Sequence, residues 1–392
     1  MSMRLLVAGV LLLGVLAAQM AHANASIRKF VAAGAMYPEK ADDIVKAMNR
    51  FYEQVTYTPP QEKLLACVVP HSAWGFCGQI AAAGLKELNI GQYERVIVLA
   101  PSHASGFEGC SIPAVEGFTI PIGVIPLDGK SIGKLNYSAL VTLRGVNYQN
   151  NKRRPLHETE YSVENILPFV LERVGPFFLV PILVGDLKEL DGRLSPQRIE
   201  AVAETISSIV DDKTLIVVST DFTHYGNDFS FRPFNTDIQQ NIEKLDRQAF
   251  ELVMNRDFEG FLRYLEKTNN PICGQAALLI LMKLLPPQAR GVLIDYTQSQ
   301  MKTKNQDRSV SYAAINFYDP TQPPRPAVRQ IAPVAAEITG VTQLPPSDRK
   351  PLEAAPAPAP EEKEAAPAKP ERGKKPEKEG RKAKREREKK ER

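Results

Sequence analysis

Five histidines occur in the 392 residues, and four of them stand in short, unlike motifs. These read Val69-Pro70-His71-Ser72, Ala100-Pro101-Ser102-His103, Leu156-His157-Glu158-Thr159-Glu160 and Ser219-Thr220-Asp221-Phe222-Thr223-His224-Tyr225-Gly226. Three of the motifs follow an apolar, β-branched run, the position where α/β proteins collect ligands, metals and catalytic groups. Imidazole serves at such places as a metal ligand or as an acid–base group. His71 and His103 each follow such a run by a few residues, so neighbouring parallel strands would turn both rings into one crevice. Two neutral imidazoles and one anionic group make a three-point metal site with open positions. Asp221, Glu160, Glu164 and the thiolate of Cys273 are the candidates for the anionic group.

The cysteines are Cys67, Cys77, Cys110 and Cys273. No CxxC pair exists, which excludes zinc-ribbon and thioredoxin chemistry. Cys67 is expected on a strand and Cys77 in the loop after His71. Cys273 opens an expected helix, and a thiol at a helix N-terminus has a depressed pKa and more thiolate, the form that binds metals. Neither GxGxxG nor GxxxxGK[ST] occurs, so nothing in the chain proposes a nucleotide.

The elements that must position these groups follow from the apolar pattern. Strands are expected at Leu64–Val69, Arg95–Leu99, Phe178–Val184, Leu215–Val218, Val292–Ile294 and Tyr312–Phe317. Helices are expected at Gly78–Leu88, Ser162–Val174, Pro196–Val210, Thr236–Met254 and Gln275–Leu285. Continuous rather than alternating apolar strands, separated by amphipathic helices, predict an α/β domain with a mainly parallel or mixed central sheet flanked by helices.

The ends differ from the middle. Residues 1–25 read as a cleavable signal peptide: Arg4, an apolar stretch from Leu5 to Ala18, and a small-residue site at Ala21-His22-Ala23 or Ala23-Asn24-Ala25. That stretch is shorter than the ~20 residues of a span, so the mature protein is expected to be exported, periplasmic or secreted, with no transmembrane segment. Residues 26–320 form the expected domain, and 321–392 a tail rich first in Pro and Ala, then in Lys, Glu and Arg. Between Glu361 and Arg392 there are 14 basic and 9 acidic residues, against a net +4 for the whole chain, so the basic balance belongs to the tail. With almost no apolar side chains it is expected to be disordered. Its charge suits an anionic surface, while the lack of interleaved aromatics argues against specific nucleic-acid recognition.

The motifs together resemble the Memo-like family, also called AmmeMemoRadiSam system protein B. Pro70-His71-Ser72-Ala73-Trp74-Gly75-Phe76-Cys77-Gly78 is similar to its "PHAGYxYSG", Leu99-Ala100-Pro101-Ser102-His103 to "LGPSH", and Ser219 to Gly226 to "SSDFxHY/WG". Ala35-Met36-Tyr37-Pro38, Ile272-Cys273-Gly274 and Ser309-Val310-Ser311-Tyr312-Ala313-Ala314 add further matches in order. The resemblance implies the fold of the class III extradiol ring-cleaving dioxygenases. It also implies an iron or copper ion, Fe(II) or Cu, on His71, His103 and Cys273, with Asp221 and His224 lining the site as the catalytic candidates, either supporting the ligands or acting as acid–base groups. One departure stands out: where the family has "EHS", this chain has Glu160-Tyr161-Ser162, and Tyr161 cannot act as an imidazole base. Two functions follow. One is an exported redox metalloprotein with dioxygenase-like oxygen chemistry. The other is a non-catalytic module on a vestigial dioxygenase scaffold that binds a small molecule, peptide or cell-wall ligand. A true ring-cleaving dioxygenase is a third, disfavoured because nothing resembles that class's Glu ligand.

Overall fold

The apolar runs of the sequence become the strands of one nine-stranded mixed sheet. The structure is a computed structural model that describes residues 26–324, apart from 105, 144–145 and 150–151. The expected signal peptide, and the expected tail beyond residue 324, lie outside the described residues. The sheet strands are β1 (Lys63–Val69), β2 (Arg95–Pro101), β3 (Cys110–Ser111), β4 (Val141–Thr142), β5 (Phe178–Val184), β6 (Thr214–Ser219), β7 (His224–Gly226), β8 (Arg290–Gln298) and β9 (Arg308–Asp319). Their order is β7-β9-β1-β6-β2-β5-β3-β4, with β8 along the other edge of β9. The four middle strands, β1, β6, β2 and β5, are parallel to one another. Antiparallel pairing enters on both sides, through β9 on β1 and β3 on β5. Buried on both faces, the parallel strands need no alternation, which is why their sequences are continuously apolar.

Seven helices of eight residues or more cover the sheet among the described residues. They are α1 (Ala41–Glu53), α2 (Trp74–Leu85), α3 (Leu167–Val174), α4 (Pro196–Ser207), α5 (Ile238–Met254), α6 (Phe258–Thr268) and α7 (Gln275–Leu284). Strand β9 shows that they lie on both faces. Ala314 and Asn316 meet Gly84 of α2, whereas Ser311 bonds Asp246 of α5, as side chains of opposite parity must. Gly84 sets how near α2 comes, since a Cβ there would stand 2.8 Å from Val69 Cγ1.

Two expectations are corrected. Helix α2 begins at Trp74, so Cys77 is helical and not in a loop. The expected helix at Gly78–Leu88 thus starts one turn earlier, and Gly78 is small for packing: a Cβ there would lie 2.5 Å from the Phe51 ring of α1. The helix expected over Ser162–Val174 is a 3-10 turn at Glu164–Ile166 running into α3, with Pro168 in its first turn. Helices α1 and α6 went unread in the sequence, although α1 buries Ile44, Ala47 and Met48 at helical spacing.

A three-stranded sheet of Ile27–Arg28, Gly117–Ile120 and Gly123–Pro126 closes one side. Its Arg28 is 2% exposed and pairs with buried Glu164 at 2.5 Å. Glu164 also accepts from the Val31 and Ala32 amides and the Tyr37 hydroxyl, so the buried charges are fully hydrogen-bonded. No helix among the described residues is long and apolar enough to cross a membrane.

Candidate metal centre

Parallel register fixes where the chemistry collects. Ser219 pairs with Val69 and Val218 with Leu99, so β1, β6 and β2 end along one edge. His71, Asp221 and His103 stand two residues beyond the last residues of those strands, Val69, Ser219 and Pro101. Cys273 reaches the same edge from another direction, on the turn between α6 and α7. There the Gly274 amide donates to Thr220 Oγ1 at 2.8 Å, and a Cβ on Gly274 would lie 2.4 Å from Thr220 Cβ. Glycine therefore lets α7 dock against the end of β6 and delivers the sulfur to the histidines.

Among the described residues, His71, His103 and Cys273 are the one group of three His, Cys, Asp or Glu side chains whose ligand atoms all lie within 4.8 Å of one another. Cys273 Sγ stands 3.4 Å from His71 Nε2, and the two imidazoles cross edge to face with centroids 5.0 Å apart. The hydrogen bonds behind the rings decide which nitrogens are free. Ser219 gives its one hydroxyl hydrogen to the Ser162 carbonyl at 2.6 Å. It must therefore accept from His71 Nδ1–H, 2.9 Å away, which leaves His71 Nε2 as the nitrogen that faces the sulfur and can ligate a metal once its proton is displaced. His103 Nδ1–H donates to Glu160 Oε1 at 3.0 Å, which frees His103 Nε2 in the same way. Both arrangements are those that orient metal-binding histidines.

The other candidates for the anionic group are engaged elsewhere. Glu160 accepts from the amides of His103, Ala104, Tyr161 and Ser162 as well as from the His103 ring. Asp221 takes the His71 amide on one oxygen at 3.0 Å and the Ser72 hydroxyl on the other at 2.5 Å. Glu164 belongs to Arg28. That leaves the sulfur, which also receives the Asp221 amide at 3.2 Å.

The electrostatics agree with an anionic sulfur between two rings. Burial opposes the Cys273 thiolate, but His71 and then His103 outweigh it and hold the thiol down at about 5. Burial likewise opposes a charged His103, yet Cys273 and Glu160 raise it to about 10. His71 is raised too, against its burial, by Cys273 and Asp221. Burial would raise Glu160, but His103 and the amides around it hold its carboxyl at about 2. His71 is 1% exposed whereas the His103 side chain keeps 31%, so the cluster opens on the His103 side. A cavity of about 270 Å³, lined by Pro101, Ser102, Val184, Gln275 and others, reaches Cys273 at the ends of β2 and β5.

Comparison with known proteins follows the same residues. The profile of the Memo-like protein family matches residues 28–316. The chain belongs to the Memo-like family. It is 28% identical to "Protein memo-1 homolog" of Caenorhabditis elegans over 296 residues, spanning 72% of this chain and 80% of that protein. It is 27% identical to human "Protein MEMO1", over 72% of this chain and 94% of the relative. A crystal structure of uncharacterized protein JW3007 from Escherichia coli K12 overlaps at a TM-score of 0.39 and 10% identity, covering 65% of this chain and 99% of that one.

In this Memo-like chain, the remaining histidines separate by environment. His224, on β7, donates from Nδ1 to the carbonyls of Phe222 and Pro271 at 2.8 and 2.9 Å, which leaves Nε2 as its proton-accepting atom. Pro271 lies two residues before Cys273, so this bond ties His224 to the turn that carries the sulfur. His157 is buried and bonds the Ser111 carbonyl through Nε2, and burial pushes it down to about 3. It is a core residue outside the triad. Tyr161 lies flat against His103, ring centroids 5.0 Å apart at 14°, and edge-on to His71 at 5.9 Å. Burial, and then the charges of Asp221, Glu160 and Cys273, raise its phenol well above the usual range.

Three supporting residues escaped the sequence reading: Ser219, Ser162 and Asn165. Asn165 Nδ2 donates to the carbonyls of His71 and Ser72 and so holds the first motif in place. Only their adjacency to the Asp221 and Glu160 motifs marked them.

Proposed function

We propose that this chain is an exported Memo-like metalloprotein that holds iron or copper on His71 Nε2, His103 Nε2 and Cys273 Sγ. The observation that carries the reading is the donor set itself: two imidazoles with their outer nitrogens tied to Ser219 and Glu160, converging on a sulfur held as thiolate. The 3.4 Å between Cys273 Sγ and His71 Nε2 suits two ligands of one ion, given bonds of about 2.0–2.3 Å. Thiolate with imidazole suits iron or copper and not the hard cations magnesium or calcium. Such an ion, held by three protein ligands, supplies one-electron or oxygen chemistry at its open positions.

The chain's own groups divide the remaining work. Glu160 and Ser219 hold the rings in the ligating tautomers. Asp221 fixes the His71 backbone and the Ser72 hydroxyl, and the sulfur receives its amide. His224, with Nδ1–H fixed on two carbonyls, offers Nε2 to take up or return a proton. Tyr161 cannot replace an imidazole base, so His224 is the imidazole outside the triad assigned to acid–base work. The four cysteines are free, three of them buried, so export of this fold requires no disulfide among them.

The deciding measurement is metal content after purification under reducing, anaerobic conditions. Stoichiometric iron or copper in the natural protein, lost in Cys273→Ala, is the expected result. A protein that carries neither metal and takes up neither on titration sinks the reading and favours the non-catalytic binding module.

A further inference from the structure

The hydroxyl of Tyr161 makes no hydrogen bond to another described residue, although its ring lies against His103 and His71. Its neighbours in the chain show no such slack. The Tyr161 amide donates to Glu160, and so does that of Ser162. The ring is held by two faces of the triad, flat on His103 at 5.0 Å and edge-on to His71 at 5.9 Å. A half-buried phenol with a fixed ring and an unpartnered O–H, beside two metal-ligating imidazoles, has a donor waiting for a visitor. A ring laid along His103 braces that imidazole, which still keeps 31% of its side-chain exposure.

We propose that Tyr161 donates a hydrogen bond to the small anionic or oxygen-donor molecule that occupies the open position beside His71, His103 and Cys273, while its ring holds His103 in place. The proposal rests on the metal reading above and names what that site would prefer to bind: a compact hydrogen-bond acceptor. A phenol with an ordinary pKa near 10 is a donor throughout the neutral range, so the preference does not require a proton transfer. The hydroxyl and the ring act separately, and substitutions separate them. Tyr161→Phe removes only the O–H and keeps the stack. Tyr161→Ala removes both.

The test uses cobalt(II), which is redox-quiet beside a thiolate and coloured, as the metal probe, and azide as the visiting ligand. Wild-type protein should show a sulfur-to-cobalt charge-transfer band and bind azide with a spectral change. In Tyr161→Phe, cobalt affinity should stay within about twofold, while azide affinity should fall about five- to tenfold, the loss of one hydrogen bond. In Tyr161→Ala, cobalt affinity should itself fall, because His103 has lost its brace. Azide binding equal in wild type and Tyr161→Phe overturns the donor role, and unchanged cobalt affinity in Tyr161→Ala overturns the bracing role. Loss of cobalt in Tyr161→Phe overturns the proposal in another way, by making the phenol oxygen a ligand. Absence of the sulfur-to-cobalt band in wild type defeats the metal reading itself, and this inference falls with it, an outcome distinct from the other three.

Discussion

The hydroxyl of Ser219 decides which nitrogen of His71 is free. Replacing it by Ala leaves a buried Nδ1–H without a partner and lets the ring exchange tautomers, so metal affinity should fall about ten- to a hundredfold. Glu160→Gln should behave alike at His103, with the added strain of an amide facing the amides that Glu160 accepts. Dissociation constants from chelator competition provide the check, and wild-type affinity in both variants would refute the tautomer argument. The pH dependence follows from the same atoms. Above about 5 the Cys273 sulfur is already anionic, whereas His103 holds its proton up to about 10 and His71 is raised as well. A metal ion must displace those imidazole protons, so between neutral pH and 9 affinity should rise with pH and binding should release protons. Below about 5 the thiolate protonates too and retention should collapse. Calorimetry in buffers of different ionisation enthalpy measures the protons released, and zero release at pH 7 would remove the histidines from the ligand set.

Helix α7 brings the one member of the His71, His103 and Cys273 cluster that no strand of the sheet supplies. Its approach depends on Gly274, where a Cβ would stand 2.4 Å from Thr220 Cβ and 2.5 Å from Thr220 Oγ1. Both atoms sit on the turn that continues into Asp221, so the clash cannot relax without moving the site. Gly274→Ala should destabilise the fold by about 1–3 kcal/mol, as overpacking does, and weaken metal binding at the same time. Gly129→Ala, where nothing lies within 4 Å, is the control and should leave metal binding alone. Paired melting curves and metal titrations separate the two, and wild-type metal affinity in Gly274→Ala would show that the turn can shift without carrying Cys273. The strand ends were legible earlier than this turn. His71, His103 and Asp221 each follow an apolar run by two to four residues, so parallel pairing alone brings them to one edge. Cys273 is 202 residues from His71 in the chain, so the residues alone left it one of four candidates, and only the family resemblance singled it out.

The fold is closed by a buried ion pair between Arg28 and Glu164. Arg28 and Glu164 bring the N-terminal segment against the loop that also carries Glu160, since Arg28 donates to the carbonyls of His157 and Glu160. Glu164→Ala would leave an uncompensated guanidinium, together with the orphaned Val31 and Ala32 amides and the Tyr37 hydroxyl. The expected cost is about 3–5 kcal/mol, a drop in melting temperature on the order of 10 °C for a domain of this size. Glu62→Ala, which breaks the partly exposed pair with Arg290, should cost about 0–1 kcal/mol. Similar melting temperatures for the two variants would show that the buried pair does not hold the segment.

What the sequence determined by itself was periodic or compositional. Apolar runs marked the central strands, because a strand buried on both faces must be apolar throughout. Scarce histidines at the ends of those runs marked the edge where a site forms. Tertiary structure decided the rest, because those choices depend on neighbours distant in the chain. It joined the flanks to the central strands by antiparallel pairing, began α2 at Trp74 so that Cys77 is helical, and left Cys273 as the anionic member of the triad by engaging Asp221, Glu160 and Glu164 with other donors. Which imidazole nitrogen is free was also decided there, by a serine hydroxyl whose single hydrogen was already given to a carbonyl.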